Sequence, residues 1–165
     1  MNNFKILLVD DSPIVRMVIS KQLEVLGLTI NLAEDGLLAV AAVEETAFDL
    51  IFMDVMMPNM DGLEATKQIR NIEAEEKRRP TIIIGVTGYT NRTDCIAAGM
   101  DDFLFKPVTI EQLKGSIKQW LPDEGSVTKS PRITNHNISI NTSALAEQRL
   151  ADLKLRLGFK GVIGP

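Results

Sequence analysis

Cysteine is nearly missing from this chain of 165 residues: Cys95 stands alone, so no disulfide closes within it. Long apolar runs are missing too, since "KILLV" and "TIIIGV" fall far short of the roughly 18 residues a membrane span requires. The opening "MNNFKILLVDD" reaches acids too early for a secretory leader, so a cytoplasmic protein without membrane insertion is expected. On that expectation the sequons at Asn91, Asn137 and Asn141 are chance matches. Positive charge is scarce. The net charge is −4 and the one basic cluster is "KRR" at Lys77 to Arg79, which excludes direct nucleic-acid binding as a leading role. No G-x-x-x-x-G-K occurs, and the acidic "DDSP" stands after the first apolar run where a phosphate-cradling loop needs exposed amides.

What remains is an ordinary globular composition, 45% hydrophobic and 24% charged, enough for one principal domain with a single core. Up to Pro122 there are 12 Lys plus Arg against 18 Asp plus Glu, and beyond it 6 against 4, so the chain changes character near Pro122. From Phe4 to Leu121 the short runs "FKILLV", "LTINLA", "FDLIFM", "TIIIGV" and "DFLFK" alternate with stretches of helical period. That alternation predicts an α/β fold of βαβ units, a doubly wound parallel sheet of five strands with five helices. The first, third and fourth runs are apolar throughout, as strands buried on both faces must be. Helix starts are legible at Ser12 with Pro13, at Asp61 with Glu64 as a capping box, and at Thr109 with Gln112 as a second box.

Residues 1–122 thus form the domain. Residues 123–143, rich in Ser, Thr and Asn, predict a polar flexible linker. Within 144–158, Ala146, Leu150, Leu153 and Leu157 fall on one stripe of an amphipathic helix, and 159–165 form a tail. The stripe calls for a partner: the domain, another chain or a further module.

In an open parallel sheet, ligands bind beyond the carboxyl ends of the strands. Those ends carry Asp10 and Asp11, Asp54, Thr87, and Lys106 followed by Pro107. Three carboxylates about 5 Å apart repel by about 3 kcal/mol per pair at an effective dielectric near 20, so the cluster calls for cations. Oxygen donors without His or Cys favour magnesium, Mg2+, with manganese, Mn2+, as the alternative.

"LLVDDS", "MDVMMPNMDG", "GVTG" and "FLFKP", in this order at successive strand ends, resemble the receiver domain of two-component response regulators, above all the receivers of hybrid kinases and phosphorelays. The resemblance implies a flavodoxin-like sheet of strand order 2-1-3-4-5 and a phosphoacceptor, Asp54, charged by a histidine kinase or a histidine phosphotransfer protein. It implies magnesium held by Asp11 and Asp54, by Asp10 mainly through water, and by the backbone carbonyl of Met56. Lys106 and Thr87 would bind the phosphoryl group, Phe103 would be the switch aromatic, and Pro107 would follow a cis peptide. Gly88, where alanine is frequent in the family, would leave the acyl phosphate open to partners. Met56 and Tyr89 would tune dephosphorylation, and neither orients a water well, so slow self-dephosphorylation is expected. Output would pass through protein contacts: a transfer protein, a kinase, a homodimer through the helix 4, strand 5 and helix 5 face or the terminal helix, or an output domain beyond Pro165.

Each residue also has a plainer reading. Asp10 or Asp11 alone is an ordinary turn acid, Lys106 a solvated lysine, Thr87 a strand-end hydroxyl, Phe103 a core aromatic and Cys95 a packing residue. His136 lies in the polar linker without the helical surroundings of a phosphotransfer histidine. An aspartyl-phosphate phosphatase is the rival enzyme reading, but it requires an acid two residues after the nucleophile, where this chain has Met56.

Overall fold

A computed structural model describes residues 4–88 and 92–121. Tyr89, the linker 123–143, the terminal helix 144–158 and the tail 159–165 lie outside the described residues. In chain order the elements are β1 (Ile6–Val9), α1 (Pro13–Val25), β2 (Ile30–Ala33), α2 (Gly36–Glu45), β3 (Leu50–Asp54), α3 (Gly62–Glu75), β4 (Ile82–Thr87), α4 (Arg92–Ala98), β5 (Asp102–Phe105) and α5 (Ile110–Trp120). The strands form one five-stranded sheet in the order β2-β1-β3-β4-β5, every pairing parallel. This is the doubly wound, flavodoxin-like α/β topology that the alternating apolar runs imply.

Strand side chains alternate between two layers. Leu7, Val9, Ile51, Met53 and Ile83 pack with residues of α2, α3 and α4, including Val43, Ile69 and Cys95. Ile6, Leu8, Leu50, Phe52 and Ile84 pack on the opposite face with Ile19 and Leu23 of α1 and Leu113 of α5. β1, β3 and β4 are buried along their whole length, which explains their unbroken apolar sequence. The edge strand β5 is only partly covered.

Three strands begin two residues later than their apolar runs. Before β1 and β3, Lys5 and Asp49 are tied to each other instead: the Asp49 amide donates to the Lys5 carbonyl, and the Lys5 amide to an Asp49 carboxylate, both at 2.8 Å. At the other end β3 and β4 run on to include Asp54 and Thr87, with Asp54 opposite Val86 and Thr87 opposite Phe105. Asp54 and Thr87 therefore sit on the ladder itself.

Ser12 caps α1, with Pro13 at its first position, and Thr109 and Gln112 form a reciprocal box at α5. The expected box at α3 is half made. Asp61 accepts the Glu64 amide at 2.8 Å, but the Glu64 carboxylate accepts from Gln68 one turn later rather than reaching back. α1 is apolar on two sides: Val15, Ile19 and Leu23 face the domain, whereas Ile14, Met17, Val18 and Val25 share an exposed stripe. No helix among the described residues is long and apolar enough to cross a membrane.

Candidate functional site

The sheet delivers its polar residues to one edge because every strand runs the same way. Just past β1, Asp10 is almost wholly buried, at 1% exposure, while Asp11 is open to solvent. β3 ends in Asp54, 3% exposed, and β4 in the buried Thr87. After β5, the Lys106 amide donates to the Thr87 carbonyl at 2.8 Å, which extends the ladder and throws the lysine side chain across the strand ends. The Lys106–Pro107 peptide is cis.

Lys106 Nζ stands 2.7 Å from Asp54 Oδ2 and 2.7 Å from Asp10 Oδ2. Both contacts are charge-assisted, and the buried Asp10 Oδ2 has this ammonium as its partner. The other Asp10 oxygen accepts the Ser12 amide at 2.9 Å, and Asp54 Oδ1 accepts the Met56 amide at 3.2 Å.

Carboxylate oxygens of Asp10, Asp11 and Asp54 all lie within 4.8 Å of one another. Three acids share one ammonium. Burial pushes the Asp54 carboxyl above its ordinary range, helped by the Asp10 charge, while the Lys106 ammonium and the Met56 amide pull the other way without prevailing. For Lys106, burial acts against the charged form, but its bonds to Asp10 and Asp54 outweigh it and hold the ammonium protonated above the usual lysine range. Two negative charges remain uncompensated among oxygen donors. That excess, on a donor set made of oxygens alone, fits a divalent cation of the magnesium type.

A scan of family models matches residues 6–118 to the response regulator receiver domain, which is more than half of the chain. The chain belongs to the response regulator receiver family. Among curated relatives of this receiver, the sensor protein GacS of Pseudomonas syringae is 33% identical over 159 residues, covering 93% of this chain and 17% of that protein. The chain spans about a sixth of the length of the first curated relatives it matches, 16% and 17%. Among solved structures, the receiver domain of the sensor histidine kinase PA1611 of Pseudomonas aeruginosa, with magnesium coordinated in its active site cleft, has a TM-score of 0.64 at 36% identity, covering 72% of this chain and 97% of that one. The receiver of Ssk1, co-crystallised with the histidine phosphotransfer protein Ypd1 of Saccharomyces cerevisiae, has a TM-score of 0.66 at 31% identity, covering 72% of this chain and 88% of that one.

Met56 is 68% exposed at the mouth, its amide turned to Asp54. Gly88 is exposed, and a methyl group added to it meets nothing within 4 Å. Phe103 is half-buried, edge-to-face with Phe105 at 5.1 Å and under the Arg92 guanidinium at 5.6 Å. Cys95 is buried among apolar residues, with burial and then Asp94 holding its thiol above the usual range, as suits a packing residue.

Three supporting residues escaped the sequence reading. A side chain at Gly62 would run into the Asp54 carbonyl and crowd Met53 Cγ at 2.9 Å, so only glycine lets α3 start beneath the acid. The motif "MDG" hinted at this, yet read as no more than a helix start. Asn59, in the left-handed region at φ 65°, donates to Asp35 Oδ2 at 3.1 Å and ties the loop after β3 to the start of α2. Arg16 donates to the Asp10 carbonyl, a contact between residues six apart that no helix or turn spacing announces.

Proposed function

We propose that Asp54 accepts a phosphoryl group from a phosphohistidine of a histidine kinase or histidine phosphotransfer protein, and that the acyl phosphate switches the receiver's protein contacts. One observation carries this reading: a buried, nearly water-excluded carboxylate at the end of β3 meets an ammonium at 2.7 Å and two further acids within 4.8 Å. An Asp54 oxygen attacks phosphorus, the P–N bond breaks, and its electron pair leaves with the imidazole. Phosphoryl transfer of this kind is mainly positioning and neutralisation of oxygen charge. Lys106 is already poised to move from carboxylate to phosphoryl oxygens, and the Thr87 hydroxyl stands one residue beyond the Asp54 register position to take another. Asp11, Asp54 and the Met56 carbonyl would hold magnesium directly and Asp10 through water, the ion supplying charge neutralisation at the phosphoryl oxygens; Mn2+ would substitute.

The relatives support the donor class. Ssk1 is crystallised with a histidine phosphotransfer protein, and the curated relatives include histidine kinases. On α1, Ile14, Met17 and Val18 form an exposed apolar strip on the helix that follows Asp10 and Asp11, and Met56 is exposed at the Asp54 mouth, which suits docking of the donor's histidine-bearing helix. The length of the relatives also supports a receiver acting within a larger regulator or hybrid kinase, with output through its other domains. A phosphatase acting on a free substrate lacks support, because the exposed Met56 thioether offers no proton.

After transfer, Phe103 would leave its contact with Arg92 and turn inward, remodelling the α4 and β5 face; the bonds to Thr87 and Lys106 supply the differential affinity such a switch requires. Self-dephosphorylation would be slow. A half-life of seconds in magnesium buffer, lengthened by neither Met56→Ala nor Tyr89→Ala, would remove that part. The central test is phosphotransfer from purified histidine kinases or transfer proteins to wild type and Asp54→Asn. Labelling of wild type alone is expected, and labelling that persists in the variant would overturn the assignment.

A further inference from the structure

Arg16 lies on the first turns of α1, outside the acid cluster, yet only 16% of its side chain is exposed. Its Nη1 donates to the Asp10 carbonyl oxygen at 2.6 Å, and its Nη2 approaches Glu34 of the loop after β2 at 3.6 Å. The Asp10 carbonyl lies one residue past β1 in the sheet ladder, and among the described residues no backbone amide is seen donating to it. On its other side the Asp10 amide donates to Ala33 at 3.3 Å. The main chain of Asp10 is thereby held at its amide by β2 and at its carbonyl by Arg16.

That carbonyl belongs to the same rigid peptide plane as the Asp11 amide, so fixing the oxygen fixes where the Asp11 Cα sits and where its carboxylate starts. Asp11 is exposed and gains no direction from packing. Asp10 needs none, since its carboxylate is already held by the Ser12 amide and Lys106. We infer that Arg16 is a positioning residue for the cation site, orienting the Asp10–Asp11 peptide so that Asp11 faces Asp54. The inference rests on the metal reading above and adds a residue to it.

Arginine suits the task because its planar fork spans a carbonyl and a carboxylate at once, which the single ammonium of lysine does not. Positioning and simple electrostatics make opposite predictions. As a nearby positive charge, Arg16 would repel magnesium, and its removal would tighten binding. As a positioning residue, its removal loosens binding, and lysine fails to rescue because charge alone is not what is needed.

The test is magnesium affinity measured by calorimetric titration of the full chain, with no phosphoryl donor present. Wild type, Arg16→Met, Arg16→Lys, Glu34→Gln and Asp11→Asn are compared, with circular dichroism confirming folding. Loss of an outer partner of a metal ligand typically costs tenfold or more in affinity, so about tenfold weaker binding is expected for both Arg16 variants. Glu34, two-thirds exposed, should matter less than about twofold. Should Arg16→Met fail to fold, Arg16→Lys, which keeps the stem and charge, carries the measurement. Unchanged or tighter binding in a folded Arg16 variant overturns the inference while leaving the metal site intact. A wild type that binds no magnesium, or Asp11→Asn binding as well as wild type, overturns the metal reading and this inference with it.

Discussion

Lys106 and Asp54 stand 52 residues apart in sequence and 2.7 Å apart in space, and the same ammonium touches Asp10 at 2.7 Å. One cation thus bridges the ends of three strands, β1, β3 and β5, and still leaves the cluster short of positive charge. Most consequences of the site follow from that imbalance.

Removing the Asp54 charge should stabilise the metal-free domain at neutral pH. The native carboxyl titrates above its ordinary value of 3.8, so the folded state holds the proton more tightly than the unfolded state does. Stability therefore falls as pH rises from about that ordinary value through the native one. Asp54→Asn should melt higher than wild type at pH 7 without magnesium, with the gain shrinking below the ordinary carboxyl range. A thermal melt series against pH checks this, and an Asn variant that melts lower at pH 7 contradicts it.

Lys106→Met should lose about 2 kcal/mol of stability in metal-free buffer, since Asp10 and Asp54 would face each other without a cation, though a side chain 25% exposed moderates the loss. The contribution of the lysine is fully present below its ordinary value of 10.5 and fades as pH rises through the higher native value, so it is intact at neutral pH. Added magnesium should recover more stability in the variant than in wild type, which denaturant titrations with and without the ion will show.

Gly62→Ala should destabilise the fold by about 3 kcal/mol, because the new methyl meets backbone rather than a flexible side chain. Gly88→Ala, with open space around it, should fold as wild type does. Comparing the two by chemical denaturation separates a glycine required for packing from one with open space around it.

Ile14→Asp and Met17→Asp should separate the two routes to labelling. Both side chains are largely exposed, so stability should barely change. Transfer from a cognate protein donor should slow about tenfold or more if these residues anchor docking, while labelling by the small donor acetyl phosphate stays within about twofold. Equal rates from the protein donor would remove α1 as the docking face.

Read as a string, the chain determined its fold class and its family. The alternation of apolar runs with helical periods sufficed for the five strands, because strands buried on both faces, such as Leu50 to Met53, admit no polar residue to blur the signal. The four motifs sufficed for Asp10, Asp11, Asp54, Thr87 and Lys106, because a parallel sheet places all carboxyl ends along one edge. Tertiary structure decided the rest. Local pattern shows that Asp61 starts a helix, but whether Glu64 returns the bond depends on its competing partner, Gln68. It does not show that Gly62 lies against the Asp54 carbonyl, that Asn59 reaches Asp35, or that Arg16 holds Asp10. Those contacts join strand ends, helix starts and loops whose relative placement is fixed only once the helices dock on the sheet. Residue type and order named the candidate groups; packing set their distances, burial and charge balance.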